Sequence, residues 1–360
     1  MIALFEAYPG LAGRLPYVGL GEFPTPVHSL ERLGDAVGAR KLFVKRDDVS
    51  ALRYGGNKVR KLEFLLGRAR QGGADHVLTL GAAGSNHALA TAIYAGGLGL
   101  ASTSVLYHQP NGRYVARNLL FAKRCGARLE VAASDRAAGR VRPHGSFNIP
   151  LGGSSILGTV GFVSAGLELA AQVLRGELPP PQRLYVALGT MGTAAGLALG
   201  LRAAGLETKI VAVRVVAERI ANRARLARLY RNVNRLLSRL DPAFPPCPLA
   251  GIELRDEFYG EKYALFTPEG MRAVALAREH ESLSLEGTYT GKAFAALLED
   301  MKRPSLRDET ILFWNTYNSR PFPHDLDEED YRELPGELHR YFEEPVQPLD
   351  RVDAPFPAGP

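Results

Sequence analysis

The chain has 360 residues, 46% of them hydrophobic and 23% charged, and a formal net charge of +6. Such a chain is long enough for two domains, and its composition excludes a disordered or collagen-like polymer. Its small, dispersed basic excess does not point to nucleic acid, and its two distant cysteines, Cys125 and Cys247, support neither a disulfide framework nor a metal site.

The N-terminus lacks the basic-then-apolar order of a secretion signal, and no uninterrupted apolar run is long enough to cross a bilayer. A cytoplasmic protein with no membrane partner is expected. Phe23-Pro24-Thr25-Pro26 predicts an extended entry, followed by a short helix through Leu30 to Leu33 and a strand from Leu42 that ends in the charges of Lys45 to Asp48. Next comes Tyr54-Gly55-Gly56-Asn57-Lys58-Val59-Arg60-Lys61. Two glycines free the backbone for a tight turn, and Val59, Leu62, Leu65, Leu66 and Ala69 then recur at helical spacing. Lys58 is therefore placed at a helix N-terminus, where the dipole disfavours an ammonium and favours a nucleophilic amine. Lys61 follows on the same face, within reach of an anion.

Strands are predicted at 76–80, 103–107 and 128–131, with a Gly-Ser-Asn-His loop at 81–87 and helices at 88–98 and 114–124. After a loop at 146–155 and a helix over 158–174, the three prolines at 179–181 mark a linker. A second series follows: strand 184–188, loop Gly189-Thr190-Met191-Gly192-Thr193, helix 194–203 and strand 210–216. Residues 218–240 form an amphipathic helix with an arginine-rich polar side, read as a solvated face or subunit contact. Helices at 267–280 and 290–302 and a strand at 310–314 complete the core, and the tail from Pro321 is acidic and then proline-rich. Strands alternating with helices predict mostly parallel, twisted sheets covered on both faces.

Two of the loops lie where parallel sheets bind ligands, at the carboxyl ends of strands. Gly189, Thr190, Met191, Gly192 and Thr193 have the makings of a phosphate cup, with converging backbone N–H groups, hydroxyl donors and a following helix N-terminus. The run is neither a dinucleotide fingerprint nor a P-loop. A reactive lysine, a phosphate cup and a Ser85-Asn86-His87 loop in an α/β chain jointly point to pyridoxal 5'-phosphate.

Three motifs occur in order: Gly55 to Phe64, Ser85-Asn86-His87 and Tyr289-Thr290-Gly291-Lys292-Ala293. With them the chain resembles the D-cysteine desulfhydrase / 1-aminocyclopropane-1-carboxylate deaminase family, which belongs to the tryptophan-synthase-β-like, fold-type-II pyridoxal phosphate enzymes. The resemblance runs from about residue 20 to 320 and implies covalent cofactor attachment at Lys58. It also implies that Lys61 and Gly189 to Thr193 hold the phosphate and that Asn86 bonds the ring hydroxyl. Ser85 and Asn86 would receive the substrate, His87 would either touch it too or cap the helix that follows, and Tyr289 would act on it. Thr290 and Thr316 would stand at the pyridine nitrogen. A threonine at 290, where ring-opening deaminases carry glutamate, implies an unprotonated nitrogen and favours β-elimination. The resemblance thus implies a lyase releasing pyruvate, ammonia and hydrogen sulfide from D-cysteine. Cyclopropane deamination, other eliminations or replacements, racemisation and non-catalytic cofactor binding stand as alternatives.

Gly84, Glu286-Gly287-Thr288 and the run Trp314 to Asn318 depart from the family pattern around the substrate. The expected architecture has a large cofactor domain of 1–61 with 171–325, a small domain of 62–170 and a peripheral tail of 326–360. The expected assembly is a homodimer acting on a small amino acid.

Overall fold

A computed structural model describes residues 1–138 and 145–351. In chain order the strands are β1 (Val27–Ser29), β2 (Lys41–Lys45), β3 (His76–Ala82), β4 (Ala101–Tyr107), β5 (Arg128–Ala132), β6 (Phe147–Ile149), β7 (Arg183–Leu188), β8 (Lys209–Arg214), β9 (Ile252–Arg255) and β10 (Thr310–Trp314). They form two sheets, a six-stranded one in the order β1-β2-β10-β7-β8-β9 and a four-stranded one in the order β5-β4-β3-β6. Among the described residues only β1 with β2 pairs antiparallel, so the expected mostly parallel α/β architecture is what the chain adopts.

The long strands fall where apolar runs predict them. β1, β6 and β9 were not predicted, and all three are edge strands of three or four residues. An edge strand is covered on fewer sides and shows little apolar periodicity.

The four-stranded sheet lies wholly within 62–170, but the helix Ile156–Leu174 touches its core only through Leu157 among the residues of the hydrophobic clusters. Val160, Phe162, Val163 and Leu169 join Leu184, Ala195 and Leu197 in the core of the larger sheet. We therefore propose that the small domain ends near residue 153 and that this helix belongs to the large one. The prolines at 179–181 then connect two elements of one core and separate no domains. The same helix corrects the reading of the chain's apolar runs, because it is long and apolar enough to span a membrane. Its 18-residue apolar window is 78% buried inside the fold, which accounts for that apolarity.

The arginine-rich segment is helical over Arg223–Leu240, capped by the Asn222 side chain. Leu226, Tyr230, Val233 and Leu237 face the core, while Arg223, Arg228, Arg231 and Arg235 are exposed.

Candidate active site

Lys58 is the first residue of the helix Lys58–Gln71. That helix straddles the two halves: Phe64 enters the core of the larger sheet, and Val59, Leu62, Leu65, Leu66 and Ala69 enter that of the smaller one. The turn ahead of it needs glycine. Gly56 adopts φ +92°, and a Cβ there would stand 2.9 Å from the Thr316 carbonyl oxygen. Below the turn Arg60 is buried between carboxylates, donating to Asp47 at 2.8 Å and to Glu168 at 2.9 Å. The helix start is thereby pinned to the end of β2 and to the helix Ile156–Leu174.

These elements surround a cavity of about 400 Å³, within the usual range for small-molecule sites. Lys58 lines it, and among the described residues its Nζ makes no hydrogen bond. Burial lowers the pKa of Lys58 to about 8 against the opposing pull of Glu286, so a neutral amine is accessible near neutral pH.

At one end stands an anion cup. Met191 takes a left-handed conformation with φ 71°, which turns the chain into the helix Gly192–Ala203. The loop Gly152–Ser154 faces it. Lys61 Nζ donates to the Gly152 carbonyl at 3.1 Å and to Ser154 Oγ at 3.0 Å. Ser154 Oγ lies 2.6 Å from Thr190 Oγ1 and accepts from Gly192 N at 3.2 Å. Thr193 Oγ1 accepts from Asn57 Nδ2 at 3.1 Å, which leaves its own proton to donate. Burial, and secondarily the charge of Lys58, pushes Lys61 well below the ordinary lysine range. An anion between the two lysines would relieve both.

The Ser85-Asn86-His87 loop opens the helix Asn86–Gly97, with Ser85 Oγ accepting from Ala88 N at 3.2 Å. Tyr54 Oη and Asn118 Nδ2 both donate to Asn86 Oδ1, at 3.2 and 3.1 Å. The carbonyl side of the amide is thus occupied, and its N–H groups remain as donors.

Tyr289 lines the cavity beside Gly189, where a Cβ would stand 3.6 Å from its ring, and its hydroxyl lies 2.5 Å from that of Tyr263. Burial raises both phenols above the ordinary tyrosine range. Sequence reasoning missed Tyr263, because no local motif surrounds it and only the fold sets it against Tyr289. It also left Glu286 without a role. The Glu286 carboxylate accepts from Thr288 N, Tyr289 N and Thr290 N at 2.7, 2.8 and 2.9 Å, and it lines the cavity. Burial raises its pKa, against the pull of those three N–H groups.

Of the residues singled out from sequence, Lys58, Lys61, Ser85, Asn86, His87, Gly189, Thr190, Met191, Thr193, Tyr289 and Thr316 line the one cavity. Gly192 is not in the wall, and its N–H donates to Ser154 Oγ. Thr290 is not in the wall: its Oγ1 accepts from Glu286 N at 2.8 Å, and Glu286 is the group that faces the cavity.

A buried lysine with a lowered pKa in one cavity with a helix N-terminus and converging hydroxyls is an arrangement suited to pyridoxal phosphate. The residues fit that cofactor: Lys58 would offer an amine to its aldehyde, while Lys61 and the hydroxyls of Thr190 and Thr193, all in the cavity wall, would donate to its phosphate. A Cβ at Gly192 would stand 2.7 Å from Ser154 Oγ and 3.2 Å from Lys61 Nζ, so a larger residue there would push these side chains aside.

The chain belongs to the pyridoxal-phosphate dependent enzyme family, whose model matches residues 18–316. It is 38% identical over 321 residues to nocardicin C-9' epimerase of Nocardia uniformis subsp. tsuyamanensis, covering 86% of this chain and 94% of that protein. It is 35% identical over 321 residues to D-cysteine desulfhydrase of Klebsiella pneumoniae (strain 342), covering 84% of this chain and 94% of the relative. The fold is similar to that of a solved ACC deaminase homologue, with TM-score 0.73, 30% identity and coverage of 91% of this chain and 98% of the other. Maize serine racemase shares the fold at TM-score 0.59 and 18% identity, covering 92% of this chain and 98% of that one. The protein is a pyridoxal phosphate enzyme of the fold-type-II class.

Proposed function

We propose that the enzyme removes the Cα proton of a small amino acid and expels its β-substituent, as a D-cysteine desulfhydrase does. Bound pyridoxal phosphate supplies the electron sink for the pair left at Cα. Ser85, Asn86 and the N-terminus of their helix would hold the substrate carboxylate, and Thr316 and Glu286, both in the cavity wall, would be available to the cofactor ring.

The observation that carries this reading is that Lys58 and Tyr289 line one cavity, with Tyr289 Oη 2.5 Å from Tyr263 Oη. Lys58 is lowered to about 8 and Tyr289 is raised above the free-tyrosine value. Groups whose environments push their pKa values apart divide into base and acid. Lys58 Nζ accepts the Cα proton, and Tyr289 Oη, kept protonated and backed by Tyr263, donates to the departing sulfur. One water is consumed for each pyruvate, ammonia and hydrogen sulfide formed from cysteine.

A second reading, epimerisation at Cα, rests on the same pair together with the 38% identity to an epimerase. There Tyr289 would return a proton to the face opposite Lys58. A screen of D- and L-amino acids in D2O separates the two. Keto-acid release from D-cysteine supports elimination, whereas Cα deuteration with inversion and no keto acid supports epimerisation. If no amino acid undergoes either, both readings fall. We further propose a homodimer, cytoplasmic in location, for which sedimentation and cell fractionation are the tests.

A further inference from the structure

The imidazole of His87, which the family resemblance offers to the substrate, is not used in the elimination proposed above. It is 2% exposed, it lines the cavity, and neither Nδ1 nor Nε2 has a hydrogen-bond partner among the described residues. The Pro150 carbonyl lies near enough to favour the charged ring, but no hydrogen bond of acceptable geometry forms. A buried imidazole with both nitrogens unmatched is costly, and such groups in native folds await a ligand, a water or an ion.

Its position tells which ligand. A Cβ at Gly153 would stand 3.1 Å from His87 Cε1 and 3.4 Å from Lys61 Cβ, so the ring lies against the turn that carries Ser154. That same turn gives Lys61 two of its acceptors, the Gly152 carbonyl and Ser154 Oγ. The ring therefore shares a wall with the anion cup, although Ser85 and Asn86, its chain neighbours, serve the substrate side. Burial first, then Lys58 and Lys61, holds the ring neutral, with one N–H to give.

We propose that His87 is a ligand of the cofactor's 5'-phosphate, its ring N–H donating to a phosphate oxygen, and that it retains the cofactor without contacting the amino acid. This rests on the assignment of the chain as a pyridoxal phosphate enzyme.

The test compares pyridoxal 5'-phosphate with pyridoxal, which lacks the phosphate. Dissociation constants come from quenching of Trp314, the only tryptophan in the chain. His87→Leu should weaken pyridoxal phosphate about 10- to 100-fold, the range for one lost hydrogen bond to a charged group. Affinity for pyridoxal should change less than about twofold, and KM for the amino acid at saturating cofactor should hold. His87→Gln, which keeps a donor at similar reach, should recover part of the loss, and the shorter His87→Asn should not. That pair decides the matter if His87→Leu fails to fold. Equal losses for both compounds would overturn the proposal. So would an unchanged cofactor affinity with a raised KM, which would return His87 to the substrate. Failure of the unaltered protein to bind pyridoxal phosphate would instead overturn the underlying assignment.

Discussion

Arg60 Nη1 donates to Glu168 Oε2 at 2.9 Å, tying the first turn of the lysine-bearing helix to a helix more than a hundred residues away. Lys45 Nζ reaches the other oxygen of the same carboxylate at 2.6 Å. With Asp47 they form a buried group of two cations and two anions at the first turn of the helix that Lys58 opens. Such clusters add little net stability but are costly to break, because the surviving charges are left unpaired.

Glu168→Gln should therefore destabilise the fold by about 3–5 kcal/mol, read by denaturant unfolding at pH 7. The two cations lower the Glu168 carboxyl to about 2 despite its burial. A depressed carboxyl stabilises above its unfolded value and loses that contribution as pH falls through the folded one. The difference between variant and parent should hold above about pH 5 and shrink between about 4.5 and 2.

Lys58→Ala should abolish turnover, and borohydride reduction of the loaded protein should attach the cofactor at Lys58. The free amine forms as pH rises through about 8. The rate at which cofactor-free protein reacts with pyridoxal phosphate should climb about tenfold per pH unit below that value and level off above it. Label on another lysine, or a rate that ignores pH from 6 to 9, would refute the assignment.

Lys61→Ala and Thr193→Ala each remove one donor from the cup and should weaken cofactor binding by about 1–3 kcal/mol. Equilibrium dialysis measures this directly. Parent-like affinity in both variants would mean that the cup holds something else.

Tyr263→Phe keeps the ring and removes the hydroxyl that lies 2.5 Å from Tyr289 Oη. If Tyr289 is the acid, kcat should fall by about 10- to 100-fold with KM nearly unchanged. Tyr289→Phe should fall further, toward the 10²–10⁴ range of a lost general acid. A change confined to KM would make the pair a binding element.

Glu63 carries a stability signal of opposite sign to Glu168. Its Oε1 accepts from Leu20 N, Gly21 N and Tyr17 Oη, yet burial dominates and raises its pKa to about 7. A raised carboxyl contributes most when protonated, below the unfolded value, and the contribution is lost as pH climbs toward 7. Glu63→Gln should flatten that decline, gaining on the order of 3 kcal/mol at pH 8. Chemical denaturation at pH 4.5 and pH 8 checks it.

Sequence alone determined the parallel α/β class and the cofactor. Apolar runs fix buried strands wherever the environment is two-sided, and the phosphate cup, the reactive lysine and the Ser85-Asn86 loop are each local in the chain. The edge strands β1, β6 and β9 escaped because little of the core reads on them. What only the tertiary structure decided are the relations between distant segments. Tyr263 meets Tyr289 across 26 positions, Arg60 meets Glu168 across 108, and Ser154 meets Thr190 across 36. A hydroxyl or carboxylate gives no periodic signal of its own, and its partner is set by how the two sheets close on the helix Lys58–Gln71. The same closure turned Glu286 into the cavity and held the Thr290 hydroxyl against it, because the first turn of a helix gathers backbone N–H groups that a carboxylate four residues upstream can satisfy.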